Sequence, residues 1–232
     1  MDKNSAYQLI EKNRKAYNSI TYKFDQTRQK YPWQEFFEFK KYLKSGKKIL
    51  DLGCGNGRLL SVLTDLRVDY LGIDNSQGLL EKARVNFPKN NFELADIVNY
   101  RISKDSYDCI FLLAVLHHIP TWEMRYSLLH KINHGLKPKG YLMMTNWNLL
   151  LPPYNRLRIF ENIKRYVGKS ILERNDLYIP FTTSDGKITV ERYLHCFTKK
   201  ELLNLATKTG FKVIEQSYGF KNFNHFSIWQ KY

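Results

Sequence analysis

Cysteine is scarce in this chain of 232 residues: three, at positions 54, 109 and 196, with no C-x-x-C spacing. They cannot all pair, so neither a disulfide framework nor a zinc site is expected from them. Long apolar runs are also missing. The longest, Cys109 to Leu116, has eight residues, against about 20 for a membrane span. Met1-Asp2-Lys3-Asn4-Ser5 offers no apolar segment of the kind that leads a secretory signal, so a cytoplasmic chain without a membrane partner is the expectation. No internal repeat and no low-complexity stretch is visible. Acidic residues are in short supply too, 22 Asp and Glu against 37 Lys and Arg, for a formal net charge of +15.

What is present is enough for a folded domain. Hydrophobic residues make up 43% of the chain, sufficient to bury a sizeable core. The positive excess is uneven. Residues 1–48 carry 12 basic and 5 acidic side chains, residues 49–148 carry 11 and 10, residues 149–197 carry 8 and 5, and residues 198–232 carry 6 and 2. The middle is close to neutral and the flanks hold the field. Such a field concentrates polyanions at a surface; compositional drift toward Lys, Asn and Tyr is the plainer explanation.

The middle third alternates strand and helix signals. Lys48–Gly53, Tyr70–Asp74, Phe92–Asp96, Tyr107–Ala114 and Gly140–Trp147 read as strands. The segments Arg58–Asp65, Ser76–Phe87 and Thr121–Asn133 read as helices, with Ser76 and Thr121 as N-caps. This order predicts a parallel sheet with right-handed crossovers. The first 45 residues read as a helical arm broken near Tyr31-Pro32. From Pro152-Pro153 to about Cys196 the pattern breaks into basic helical patches and a turn at Ser184-Asp185-Gly186, a segment long enough to be a lid or a recognition element. Thr198-Lys-Lys-Glu201 is a capping box opening a helix that closes at Gly210. Phe211–Tyr218 and Phe223–Gln230 follow as two strands.

The strongest local signal is Asp51-Leu-Gly53-Cys54-Gly55-Asn56-Gly57-Arg58. Its glycines allow close approach of backbone to a ligand, but the spacing differs from that of dinucleotide folds, and Asp51 disfavours a phosphate. A ligand with an ammonium or sulfonium group suits it. Asp74, with Asn75 behind it, ends the second strand 21 residues after Gly53, where a carboxylate accepts from ribose hydroxyls. Asp96 and Ile97 stand at the end of the third strand, suited to an adenine amino group and ring. Either acid alone reads as a turn residue; three acids at successive strand ends of one sheet do not.

On these residues the sequence resembles the class I S-adenosylmethionine-dependent methyltransferases. The resemblance implies an α/β, Rossmann-like sheet of seven strands with the last antiparallel, helices on both faces, an N-terminal arm and a substrate-side insertion. The divisions would be an arm (1–45), a cofactor-binding core (46–148), the insertion (149–197) and a C-terminal helix with a strand hairpin (198–232). It also implies S-adenosyl-L-methionine as cofactor, held by Asp51, Gly53, Cys54, Gly55, Asn56, Gly57, Asp74, Asn75, Asp96, Ile97, Ala114 and Val115.

Further strings are similar to one branch, the tRNA wobble-uridine carboxymethyl methyltransferases. These are Thr27-Arg28 with Trp33, Ala114-Val115-Leu-His117-His118 with Arg125, Asp176 to Phe181, and Arg192-Tyr193-Leu-His195-Cys-Phe197. Leu194 and Phe181 depart from that branch's tyrosine and tryptophan. The branch implies a tRNA anticodon loop as partner, and in its eukaryotic members a small zinc-binding activator at the sheet edge formed by the Phe92–Asp96 strand. It assigns the substrate side to Arg28, His117, Arg125, Trp147, Arg192, Tyr193 and His195. The arginines suit carboxylate or phosphate, the histidines suit hydrogen-bond donation, and Trp147 suits base stacking. Each has an ordinary reading as well: a loop cap for the histidines, a solvated helix face for Arg125, core for Trp147. A small-molecule methyltransferase and a non-catalytic RNA-binding protein are the competing functions.

Overall fold

A computed structural model describes residues 1–29, 34–182 and 189–232, and within them the side chains of residues 27–29, 34 and 220 are outside the description. The break at Tyr31-Pro32, Trp33 and the Ser184-Asp185-Gly186 turn therefore lie outside the described residues.

Seven strands form one sheet: β1 (Lys48–Leu52), β2 (Asp69–Asp74), β3 (Asn91–Leu94), β4 (Tyr107–Leu113), β5 (Leu136–Trp147), and, after an insertion, β8 (Phe211–Tyr218) and β9 (Asn224–Lys231). Their spatial order is β3-β2-β1-β4-β5-β9-β8. The first five are parallel, with Ile49 opposite both Tyr70 and Cys109. β9 runs antiparallel to β5 from Tyr141↔Gln230 to Trp147↔Asn224, and antiparallel to β8. The central strand β4 is buried on both faces, as its apolar run requires.

Alternate residues of β1 feed two cores. Leu50 and Leu52 join Leu128, Leu129 and Ile132 of α5 (Trp122–Gly135) and Leu202 and Leu205 of α7 (Lys199–Lys208). On the other face Ile49 meets Phe36 and Phe39 of α3 (Gln34–Lys40), with Leu59 and Leu60. Each such side chain contributes roughly 1.5–3 kcal/mol by leaving water.

The caps are where the sequence places them. Ser76 accepts from Leu79 N–H ahead of α4 (Gln77–Asn86), and Thr121 and Thr198 do the same for α5 and α7. Four boundaries differ. The helix expected over Arg58–Asp65 is a short 3-10 turn, Arg58–Val62. Gly57 precedes it with left-handed φ of 78° and no capping side chain, and its hydrogen bonds run over three residues, Leu60 N–H to Gly57 O at 2.9 Å and Leu63 N–H to Leu60 O at 3.1 Å. β3 stops at Leu94, so Asp96 lies in the loop beyond the strand. β5 starts at Leu136, ahead of Gly140.

The fourth difference is the insertion. It holds α6 (Tyr154–Tyr166) and a separate antiparallel pair, β6 (Asp176–Thr182) and β7 (Thr189–His195). β7 packs against α1 (Lys3–Ser19), which leads into α2 (Thr21–Gln29). Arm and insertion thus form one cap over the carboxyl edge of the sheet. No helix among the described residues is long and apolar enough to cross a membrane.

Candidate active site

The carboxyl ends of β1, β2 and β4 and the three helices of the arm enclose a cleft of about 1140 Å³, its open mouth included. Its floor is the glycine loop. Gly53 has φ of 76°, and a Cβ there would stand 2.4 Å from Val115 Cγ2, so no side chain is admissible at this position. Gly55 has φ of 54°, and its N–H donates to Asp74 Oδ2 at 2.8 Å. Asp74 Oδ1 accepts from Ser76 N–H at 2.8 Å; it is the Gly55 bond to Oδ2 that ties the end of the first strand to the end of the second. Asn56 donates to Asp25 of α2 at 2.8 Å, and Asn18 of α1 accepts from Ser76 Oγ at 2.7 Å. The arm is thereby bonded to the floor.

Asp51 is the unusual member. It is 2% exposed, its Oδ2 accepts from Tyr70 O–H at 2.8 Å, and its Oδ1 has no partner. Burial pushes its pKa up to about 7 against the Tyr70 hydrogen bond, with Asp74 adding to the rise. Burial also raises Asp74. A cation is what this pair lacks. Asp96 accepts from Val98 N–H at 2.9 Å and Asn99 Nδ2 at 3.0 Å, bracing its loop while facing the cleft.

Eleven of the twelve floor residues expected from the sequence line the cleft; Gly57 does not. A Cβ on Gly57 would stand 2.9 Å from Phe87, so its task is packing. Burial drives the Cys54 thiol well above its usual range, which makes it a filler and not a nucleophile. Ala114 takes a left-handed φ of 57°, held by hydrogen bonds from its N–H to Thr145 O (2.9 Å) and Oγ1 (3.0 Å). Strain of this kind persists only where surrounding bonds over-determine it.

The substrate-side residues scatter. Trp147 lines the cleft, together with His118, Tyr17 and Asn13. His117 does not: it is fully buried, its Nδ1 accepts from Trp147 N–H at 3.4 Å, and burial, then His118, pushes its pKa well down. His118 Nε2 accepts from Tyr17 O–H at 2.9 Å, and its Nδ1 faces Tyr193 O at 3.1 Å. Burial pushes His118 down to about 4, so both rings are neutral at physiological pH.

His195 stands apart from the cleft. Its Nδ1 meets Asp176 Oδ1 at 2.7 Å and its Nε2 meets Glu201 Oε1 at 2.8 Å. With both nitrogens engaged, it has no proton to offer a substrate. Arg125 is 2% exposed, donates to Ile119 O at 3.1 Å and lies 3.9 Å from Glu201. Tyr193 is buried, and its backbone exchanges two hydrogen bonds with Asn13, N–H to Oδ1 at 2.8 Å and Nδ2 to O at 3.0 Å. Arg28 lies in α2, its side chain outside the described residues.

Arg192 differs from all of these. The residue is 3% exposed, and its guanidinium lies 5.1 Å from the Trp147 ring, 5.1 Å from the Phe181 ring and 5.9 Å from the Tyr17 ring. Its Nε has no hydrogen-bond partner, and no carboxylate pairs with it among the described residues. A buried cation without an anion is costly, and this one adjoins two side chains that line the cleft.

Asn13 and Tyr17 were not expected from the sequence, and of the His117-His118 pair the substrate side was assigned to His117 whereas His118 is the one that lines the cleft. One signal was available: Asn13 is the polar member of the otherwise apolar row Ala6, Leu9, Ile10, Ala16 on α1.

A family model described as a methyltransferase domain matches residues 24–216. Among curated relatives, a tRNA (carboxymethyluridine(34)-5-O)-methyltransferase of Saccharomyces cerevisiae is 36% identical over 135 residues, 58% of this chain and 47% of that protein. The match thus spans about half the length of that relative. A carboxy-S-adenosyl-L-methionine synthase of Campylobacter jejuni is 28% identical over 189 residues, 80% of this chain and 78% of its own. Among solved structures, a SAM-dependent methyltransferase from Methanosarcina mazei superposes with a TM-score of 0.69 at 22% identity, over 84% of this chain and 96% of that one. A Haloferax volcanii methyltransferase solved with the Trm112 activator gives 0.67 at 13% identity, over 94% and 96%. These two likenesses establish the fold.

Proposed function

Because the chain belongs to the methyltransferase domain family, we propose that it uses S-adenosyl-L-methionine to esterify the carboxylate of 5-carboxymethyluridine at the tRNA wobble position. The observation that carries this reading is the buried Arg192 guanidinium, which has no carboxylate partner among the described residues and is boxed by Trp147, Phe181 and Tyr17. A guanidinium supplies the counter-charge for a carboxylate, and an adjoining indole supplies a face for an unstacked base.

The floor fits the cofactor on its own terms. Asp51 Oδ1 is a buried acceptor awaiting a cation, Asp74 adjoins the Gly55 approach, and Asp96 with Ile97 bounds the far end. We assign Asp51 to the ammonium side, Asp74 to the ribose hydroxyls and Asp96 to the adenine amino group. When bound, the cofactor supplies an electrophilic methyl group on a sulfonium.

The protein's task is placement. A carboxylate is already ionised at neutral pH, so no general base is required and the proton count does not change as the O–C bond forms and the S–C bond breaks. Neutral His117 and His118 suit a site that moves no proton. Arg192 orients the nucleophile, and Trp147 and Tyr17 exclude water around it. His195 and Arg125 act at one remove: both bind Glu201, His195 holding β7 and Arg125 holding α5 against α7. Arg28 of α2 is retained as a phosphate or carboxylate ligand.

The positive flanks give a tRNA its approach. The edge strand β3, paired on one side only and with Leu94 half exposed, is the place for a small zinc-binding activator.

Nucleoside mass spectrometry of tRNA from a deletion strain tests the reading. Loss of the methyl ester with build-up of the free acid is expected; unchanged nucleosides would overturn it. One observation favours a second reading. The Campylobacter synthase matches over 80% of the chain, and Arg192 would equally neutralise a carboxyl carried by the cofactor. In that case the purified protein holds, or forms, a carboxylated cofactor in mass spectra. Failure to bind any such cofactor in calorimetry would leave only an RNA-binding role.

A further inference from the structure

Helix α6 is amphipathic in the inverse sense. Arg158 donates to Asn155 and Asn175, Asn162 accepts from Asn175 N–H at 3.0 Å, and Glu161 takes Ser170 Oγ. These polar side chains fasten the helix to the body, and none of its residues is buried. Its apolar residues face water instead: Ile159 is 47% exposed, Phe160 59%, Ile163 56%, Tyr166 87%, Val167 55%, and Ile171 just beyond it 66%. A monomer gains nothing by wetting such a stripe.

The charges around the stripe decide what covers it. Arg156, Lys164, Arg165 and Lys169 border it. The one acid from Tyr154 to Ile171 is Glu161, which is turned inward to Ser170 and Lys164. RNA would satisfy the cations and leave the aliphatic side chains wet. A second copy would cover the apolar residues and set cation against cation. An anionic bilayer accounts for both: apolar side chains enter the acyl boundary while Lys and Arg meet the headgroups. We propose that α6 is an interfacial anchor that docks the protein onto membranes rich in anionic lipid. The helix is 13 residues long, too short to span a bilayer, so it lies in the surface plane. This proposal is independent of the wobble-uridine reading.

Co-sedimentation of the full chain with vesicles tests it, using phosphatidylcholine alone or with one third phosphatidylglycerol. The full chain is expected to pellet with the anionic vesicles and to bind the neutral ones at least ~10-fold less, with binding weakened by salt. Phe160→Ser with Ile163→Ser should cut the bound fraction by ~10-fold or more without changing the circular dichroism spectrum or cofactor affinity. In a Tyr166→Trp variant, emission should shift to the blue on adding anionic vesicles. Four outcomes would overturn the proposal. They are absence of binding, binding that the apolar variant leaves intact, loss of tRNA affinity in that variant, and a wild-type dimer in ultracentrifugation that the variant abolishes.

Discussion

The floor and the roof of the cleft are made in opposite ways. The floor uses consecutive strand ends of one sheet, and Asp51, Asp74 and Asp96 arrive there because parallel strands all finish at the same edge. The roof is assembled from α1, the turn after β4 and the β6–β7 pair, and Asn13 meets Tyr193 across 180 residues of sequence. The floor is short of cations, and behind the roof lies Arg192, which has no carboxylate partner among the described residues. On the function proposed above, such a site draws a cationic cofactor to one wall and an anionic acceptor to the other, and brings the two together only where the walls meet.

Breaking the floor should have the largest effect. Asp74→Ala removes the acceptor that holds the Gly55 N–H, so cofactor affinity should fall ~100-fold or more, read by calorimetry. Methyl transfer should then vanish at any attainable cofactor concentration. Equal loss of cofactor binding in Arg192→Gln would dissolve the distinction between the two walls.

Arg192→Gln should instead leave cofactor affinity within about twofold and lower kcat/KM for tRNA by ~10- to 100-fold, the worth of one charge-assisted contact. Steady-state kinetics with saturating cofactor separates the two effects.

Asn13→Ala tests whether the roof is a single piece. It deletes both bonds to the Tyr193 backbone and should cost about 1–3 kcal/mol, a fall in Tm of roughly 2–4 °C per kcal/mol for a domain of this size. Transfer should suffer more than cofactor binding.

The smallest effect concerns pH. With Asp51 held at about 7 before a ligand arrives, a cationic ligand must displace its proton. Cofactor affinity should fall as pH drops below 7, by at most ~10-fold per pH unit, and binding should release a proton there. Calorimetry in two buffers of different ionisation enthalpy reads this directly. The sign for folding is opposite. A carboxyl whose folded pKa lies above its unfolded value favours the unliganded fold most below about pH 4, and that contribution is lost as pH rises through 7. A cofactor affinity flat from pH 6 to 8, within ~twofold, would remove Asp51 from the ammonium.

The same contrast explains what the sequence allowed to be read. Floor residues could be named because a strand, its terminal acid and a glycine turn are contiguous, and their geometry follows from local rules. The roof depends on contacts between distant segments, which local patterns do not report. His117 and His118 show the limit at the scale of one residue. The 3-10 turn Leu116–His118 rotates successive side chains by about 120°, so one ring faces the cleft and its neighbour faces the core. His195 shows it again. Thr198 caps α7 as the motif requires, but the Glu201 of that motif also supplies a partner to a histidine six residues earlier, and so takes it out of the substrate's reach.

The placement of β9 between β5 and β8 has a temporal side. β8 joins the sheet only through β9, and β9 is the last of the seven strands to leave the ribosome. A nascent chain can complete the acidic floor early. Its sheet stays open, with a long unpaired edge on β5, until about residue 231 has cleared the exit tunnel. Such an edge is an invitation to mispair, and a pause in synthesis after β8 would prolong it.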